Sequence, residues 1–179
     1  MKLFFTVLTA ITVVSTPVKA GNSIRDHQNL FDAIERVGVP VIINSEWCKP
    51  GIAGAYRWNA DTAESDMHIC QTHGTPGGPP VGWTDDDLDT LRHEAHHLVQ
   101  DCLDGVRADN KISAVLEGPQ LNAIKHVLSP SKFNAILQAY GGQGLDKEGI
   151  FAELEAFAVA DAMDASQIAE HVLQACLIK

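Results

Sequence analysis

Thr84-Asp85-Asp86-Asp87-Leu88-Asp89-Thr90-Leu91-Arg92-His93-Glu94-Ala95-His96-His97-Leu98-Val99-Gln100-Asp101-Cys102 is the stretch around which the chain organises itself. Thr84 offers a side-chain oxygen to the first turn of a helix. Asp85, Asp86 and Asp87 place carboxylates at the positive end of that helix's dipole. Asp87, three residues after Thr84, completes a capping-box pattern with Asp in place of Glu. Leu88, Leu91, Ala95, Leu98 and Cys102 then recur at steps of three and four. The spacing predicts an amphipathic helix of about five turns that ends before Gly105.

Upstream, Ile24, Leu30, Phe31, Ile34 and Val37 predict a helix over 24–37, with Gly38 as its stop. Val39 to Asn44 is short and β-branched, and reads as a strand. Ala55–Trp58 and Met67–Cys70 are weaker strand candidates, separated by turn signals at Gly51, Gly54, Asn59 and Asp61. The expectation is a small antiparallel sheet between residues 39 and 71. Thr72–Trp83 is rich in glycine and proline and reads as a loop. Downstream, helices are expected around 114–127, 131–139, 147–163 and 166–177, with Pro119 and Pro130 limiting the first two and a glycine loop at 141–144. The fold class is therefore α+β: a small N-terminal sheet and a larger helical part.

Met1 and Lys2 precede an apolar run, Leu3–Val14, and Val18-Lys19-Ala20 gives a small-residue cleavage pattern. Residues 1–20 read as a secretory signal peptide, which makes the protein secreted or periplasmic. The run is too short to span a bilayer. Residues 21–179 suit one domain. With Lys2 and Lys19 in the leader, the remainder holds 11 basic against 23 acidic residues, a net charge of −12. No cluster of Lys and Arg is present to meet nucleic acid or an anionic membrane. Cys48, Cys70, Cys102 and Cys176 make an even set in an exported chain, so two disulfides are expected. Of the three possible pairings, Cys48–Cys70 with Cys102–Cys176 is preferred, because the first two flank the strand-rich region. No C-x-x-C spacing supports a thiolate metal site.

His93-Glu94-Ala95-His96-His97 fits the pattern H-E-x-x-H. Residues four apart share a helix face, so His93 and His97 can bind one zinc ion through ring nitrogens at about 2.0–2.1 Å. Zinc lowers the pKa of bound water towards about 7. Glu94, next to the first histidine, can take the proton and later pass it to a leaving amine. His96 does not share that face and is read as a non-ligand, as are His27, His68, His73 and His171. Asp85, Asp86, Asp87 and Asp89 lack the glycine and terminal Glu of a calcium loop, and capping accounts for them better.

A third ligand must come from elsewhere. Position 100 is Gln and position 103 is Leu, which excludes the metzincin continuation. Asp101 and Asp104 lie in a context unlike that of aspartate zincins. Glu153-Leu154-Glu155-Ala156-Phe157-Ala158-Val159-Ala160-Asp161, taken with His93–His97, resembles the gluzincin-type zinc metallopeptidases, whose third ligand is a Glu on a later helix. The resemblance implies a zincin-like fold, zinc as cofactor, a peptide or protein substrate, Glu94 as the catalytic base, and Glu153 as a metal ligand beside His93 and His97. It departs at Phe157, where many relatives carry Asp; Asp161 is the nearest substitute. Glu155 competes with Glu153, but the two point about 200° apart, so only one can face the metal. Glu153 is preferred because it flanks the apolar face beside Ala156.

Tyr140, His126, Tyr56 and Arg57 are candidates for a donor to a developing oxyanion. An edge strand within 39–71 could bind an extended peptide, and loop 72–83 could line the cleft. Two other classes stand beside the peptidase: a weak or inactive zincin-fold binding or regulatory protein, and a disulfide-stabilised secreted domain without metal.

Overall fold

A computed structural model describes residues 24–59, 61–104, 112–124 and 126–177. The leader expected over 1–20 lies outside them. Helix α1 (Gln28–Arg36) is followed by strands β1 (Val41–Ile43), β2 (Gly54–Asn59) and β3 (Glu64–Ile69). The central helix α2 (Asp85–Leu103) comes next, then α3 (Gly118–Ile124), α4 (Pro130–Gly142), α5 (Lys147–Ala162) and α6 (Ala165–Leu177). This is the α+β arrangement expected.

The sheet differs from expectation in one respect. Its order is β1-β3-β2, and β2 pairs antiparallel with β3, but β1 runs parallel to β3 with Val41 opposite Met67. The sheet is therefore mixed. β1 and β2 flank β3 and are both edges, so β1 joins the sheet on the side opposite the β2–β3 hairpin and with the opposite sense to β2. Three other boundaries moved. Residues 24–27 form turns rather than helix. The helix expected over 114–127 forms only from Gly118, because Pro119 suits a first helical turn and not an interior one. Gly141 and Gly142 close α4 instead of forming a loop.

The cap of α2 forms as its sequence demands. The Thr84 side chain accepts the Asp87 N–H, and the Asp87 carboxylate accepts the Thr84 N–H. Asp87 also takes the backbone N–H and hydroxyl of Thr72 at 2.7 and 2.8 Å. The loop 72–83 is held to the sheet by Asn44 and Gln71, whose amides bond each other and the backbone at Pro79 and Val81.

α2 lies in the middle of the molecule. It packs against β2, β3, α5 and α6. Leu91, Ala95, Leu98, Val99 and Cys102 join a core that includes Ile34, Met67, Ile69, Val159, Ile168 and Val172. The two disulfides are Cys48–Cys70 and Cys102–Cys176, the preferred pairing; the second ties the end of α2 to the end of α6. No helix among the described residues is long and apolar enough to cross a membrane.

Candidate metal centre

A helix buried all round normally carries apolar residues on every face. α2 instead buries Asp87, Arg92, His93, Glu94, His96, His97, Gln100 and Asp101. Buried polar groups need partners, and nearly all of these have them. Arg92 bonds Asp89, His27 and the carbonyl of Ala160. Asp101 accepts the Tyr56 hydroxyl at 2.5 Å. His96, fully buried, bonds Glu155 at 2.8 Å. Burial holds the His96 imidazole below its ordinary value, so it is the neutral donor in that pair. Glu155 sits lower than an ordinary carboxylate despite its burial, because it accepts from His96, Gln100 and the backbone of Val115 and Leu116.

Two ring nitrogens are exceptions: Nδ1 of His96 has no hydrogen-bond partner, and neither has Nδ1 of His93. His93 Nε2 lies 3.0 Å from Nε2 of His97. The Glu153 carboxylate, on α5, comes within 3.3 Å of His93 Nε2 and 3.5 Å of His97 Nε2. Glu153 Oε2 is itself buried without a hydrogen bond. Four donors bound about 2.0–2.1 Å from a tetrahedral ion lie about 3.3 Å apart. The three separations here bracket that length, Glu153 meeting His93 through Oε2 and His97 through Oε1, and two nitrogens with a carboxylate form a set that suits zinc. Donor atoms of His93, Glu94 and His97 also lie within 4.8 Å of one another. The cluster can hold a metal ion.

The local charge fits a cation. Burial alone would depress His97, but Glu153 and Glu94 outweigh it and raise the imidazole to about 9. Burial would raise Glu153, yet the two histidines hold it far below the usual carboxylate range. Glu94 is aimed by the backbone: its Oε2 accepts the Tyr56 N–H at 2.7 Å. That contact needs β2 to approach α2 closely. At Gly54, a Cβ atom would stand 2.6 Å from Thr90 Cγ2, 2.8 Å from the His68 carbonyl and 3.3 Å from Glu94 Cγ.

These groups floor a cleft of about 560 Å³ whose walls include β2, Ile112, Tyr140, Leu145 and Phe157. Of the proposed oxyanion donors, Tyr140 borders the cleft with its hydroxyl beside the candidate metal ligands, hydrogen-bonded to Glu153. Burial and the adjacent Glu153 charge push its phenol well above its ordinary value, so it stays protonated. Tyr56 also borders the cleft, but its hydroxyl is committed to Asp101. His126 is exposed and does not line the cleft. Arg57 points elsewhere, to Trp47, Asp66 and His68. Loop 72–83 does not line it either. At position 157 the Phe ring packs against His93 with centroids 4.2 Å apart, and Asp161 supports no histidine because Lys132 binds both its oxygens at 2.8 Å.

The sequence did not single out Gln100 as a member of this centre. Its Oε1 lies 2.7 Å from His97 Nδ1. The signal was present in its position, three residues after His97 and on the same side of the helix. No family model, curated protein or solved structure matches the chain.

Proposed function

We propose that this protein is an exported, zinc-dependent peptidase of the gluzincin type with a zincin-like fold. The observation that carries the reading is the donor set of His93, His97 and Glu153, spaced for a tetrahedral ion on the floor of a cleft that Glu94 also lines. Zinc, when bound, supplies an acidified water and polarises a carbonyl. His93 and His97 contribute nitrogen donors one helical turn apart, and Glu153 contributes the anionic one. Glu94, aimed by the Tyr56 N–H, takes a proton as general base and returns it to the leaving amine. Tyr140 donates its hydroxyl towards the developing oxyanion. β2 is an edge strand beside the cleft, so an extended peptide can lie along it. Two disulfides fit the oxidising setting of an exported protein.

Glu94→Gln in untagged protein tests the reading. The variant is expected to keep its zinc while hydrolysis of a mixed peptide set falls by about 10²–10⁴. A wild-type protein that holds zinc but cuts no peptide would instead be a binding or regulatory protein. One that takes up no zinc on reconstitution would be a disulfide-stabilised domain without metal.

A further inference from the structure

The amide of Gln100 has only one orientation compatible with its neighbours. Its Nε2 lies 3.0 Å from the carbonyl oxygen of Ala152 and 3.0 Å from Glu155 Oε1, and both of these can only accept. The nitrogen end must therefore face α5, and the carbonyl end must face His97. A carbonyl oxygen 2.7 Å from His97 Nδ1 requires a proton on that nitrogen. With Nδ1 protonated, the ring in the neutral form that binds a metal carries its lone pair on Nε2, the atom that faces His93 and Glu153. Glu155 is fixed in turn by His96 and by the N–H groups of Val115 and Leu116. Gln100 and Glu155 are both buried. His93 has no such support at Nδ1, so the two ligand histidines are not equivalent.

Resting on the zinc-site reading above, we propose that Gln100 is a positioning residue. Anchored by Glu155 and the Ala152 carbonyl, it presets the tautomer and ring angle of His97 for the metal. His93 has the Phe157 ring packed against it but no hydrogen bond at Nδ1 to set its tautomer.

Gln100→Met keeps the side chain's length and removes its hydrogen bonds. Gln100→Asn keeps an amide but falls a methylene short of His97, and decides the matter if the Met variant does not fold. Zinc affinity is read by competition with a chelator. Imidazole ¹H–¹⁵N spectra of the zinc-loaded protein report on each Nδ1–H. The expected result is affinity weakened about 10–100-fold. The His97 Nδ1–H signal, sharp and slow to exchange in the wild type, should broaden in the variants while that of His93 stays as it was. Affinity within about threefold of wild type would overturn the proposal. So would a loss of affinity with the His97 Nδ1–H still protected, because the effect would then be general loosening. A wild-type protein that binds no zinc would sink the metal-site reading itself, and that outcome is distinct from either of these.

Discussion

The carboxylate of Glu94 receives the Tyr56 N–H at 2.7 Å, so its direction is set by the fold itself. Tyr140 faces the same cleft with a hydroxyl held in its protonated form. Tyr140→Phe should lower peptide hydrolysis by about 10²–10³ and leave zinc content unchanged, which steady-state kinetics and metal analysis would check together. Asp87 bears on stability. Its two sets of hydrogen bonds, to Thr84 and Thr72, outweigh burial and hold it below its ordinary value of 3.8. The folded state then binds fewer protons than the unfolded chain at pH values between the folded and unfolded pKa. The contribution is complete above about pH 5 and is lost as pH falls through the folded value. Asp87→Ala should cost about 1–2 kcal/mol at neutral pH, and the gap to wild type in denaturant melts should narrow in acid. At this scale the sequence was most legible where chemistry follows from local spacing. The cap, the shared face of His93 and His97, and the placing of Glu153 rather than Glu155 beside those two histidines are all helix-periodicity arguments. Gln100 and the Tyr56 backbone were not legible, because one needs the position of α5 and the other the register of β2.

Among the elements, the approach of β2 to α2 controls the site. Gly54 reads in the sequence as a turn signal, but it lies in β2 at the point where no side chain fits against Thr90 and Glu94. Gly54→Val should push the strand off the helix and break the Tyr56–Glu94 bond. The expected cost is about 1–3 kcal/mol of stability in urea melts, with a fall in activity larger than the Tm change accounts for. Helix types and centres were legible because α1, α2, α5 and α6 each repeat apolar residues at helical spacing. The parallel direction of β1 was not, since three residues carry no signal of orientation. The roles of His126 and Asp161 failed for a related reason: each was placed by sequence position, while an exposed turn and Lys132 decided where they lie.

Across the whole molecule, the Cys102–Cys176 disulfide spans 74 residues and ties the end of α2, the helix that carries His93 and His97, to α6. Cross-links of that length stabilise by about 4 kcal/mol in the chain-entropy view. A Cys102→Ser, Cys176→Ser double variant should lose about 2–5 kcal/mol in calorimetry and bind zinc less tightly, because α2, which carries His93 and His97, then loses its covalent tie to α6. The pairing was legible from which cysteines bracket the strand-rich region. The all-round burial of α2 was not, because its polar residues read locally as a solvated face and only the packing of α5, α6 and the sheet reverses that. The central claim is that His93, His97 and Glu153 share one metal ion. Diffraction at the zinc edge from crystals of untagged, zinc-reconstituted protein tests it most directly. The account predicts a single strong anomalous peak about 2.0–2.2 Å from Nε2 of both histidines and from a Glu153 oxygen; no peak there, or zinc bound to Glu155 instead, would contradict it.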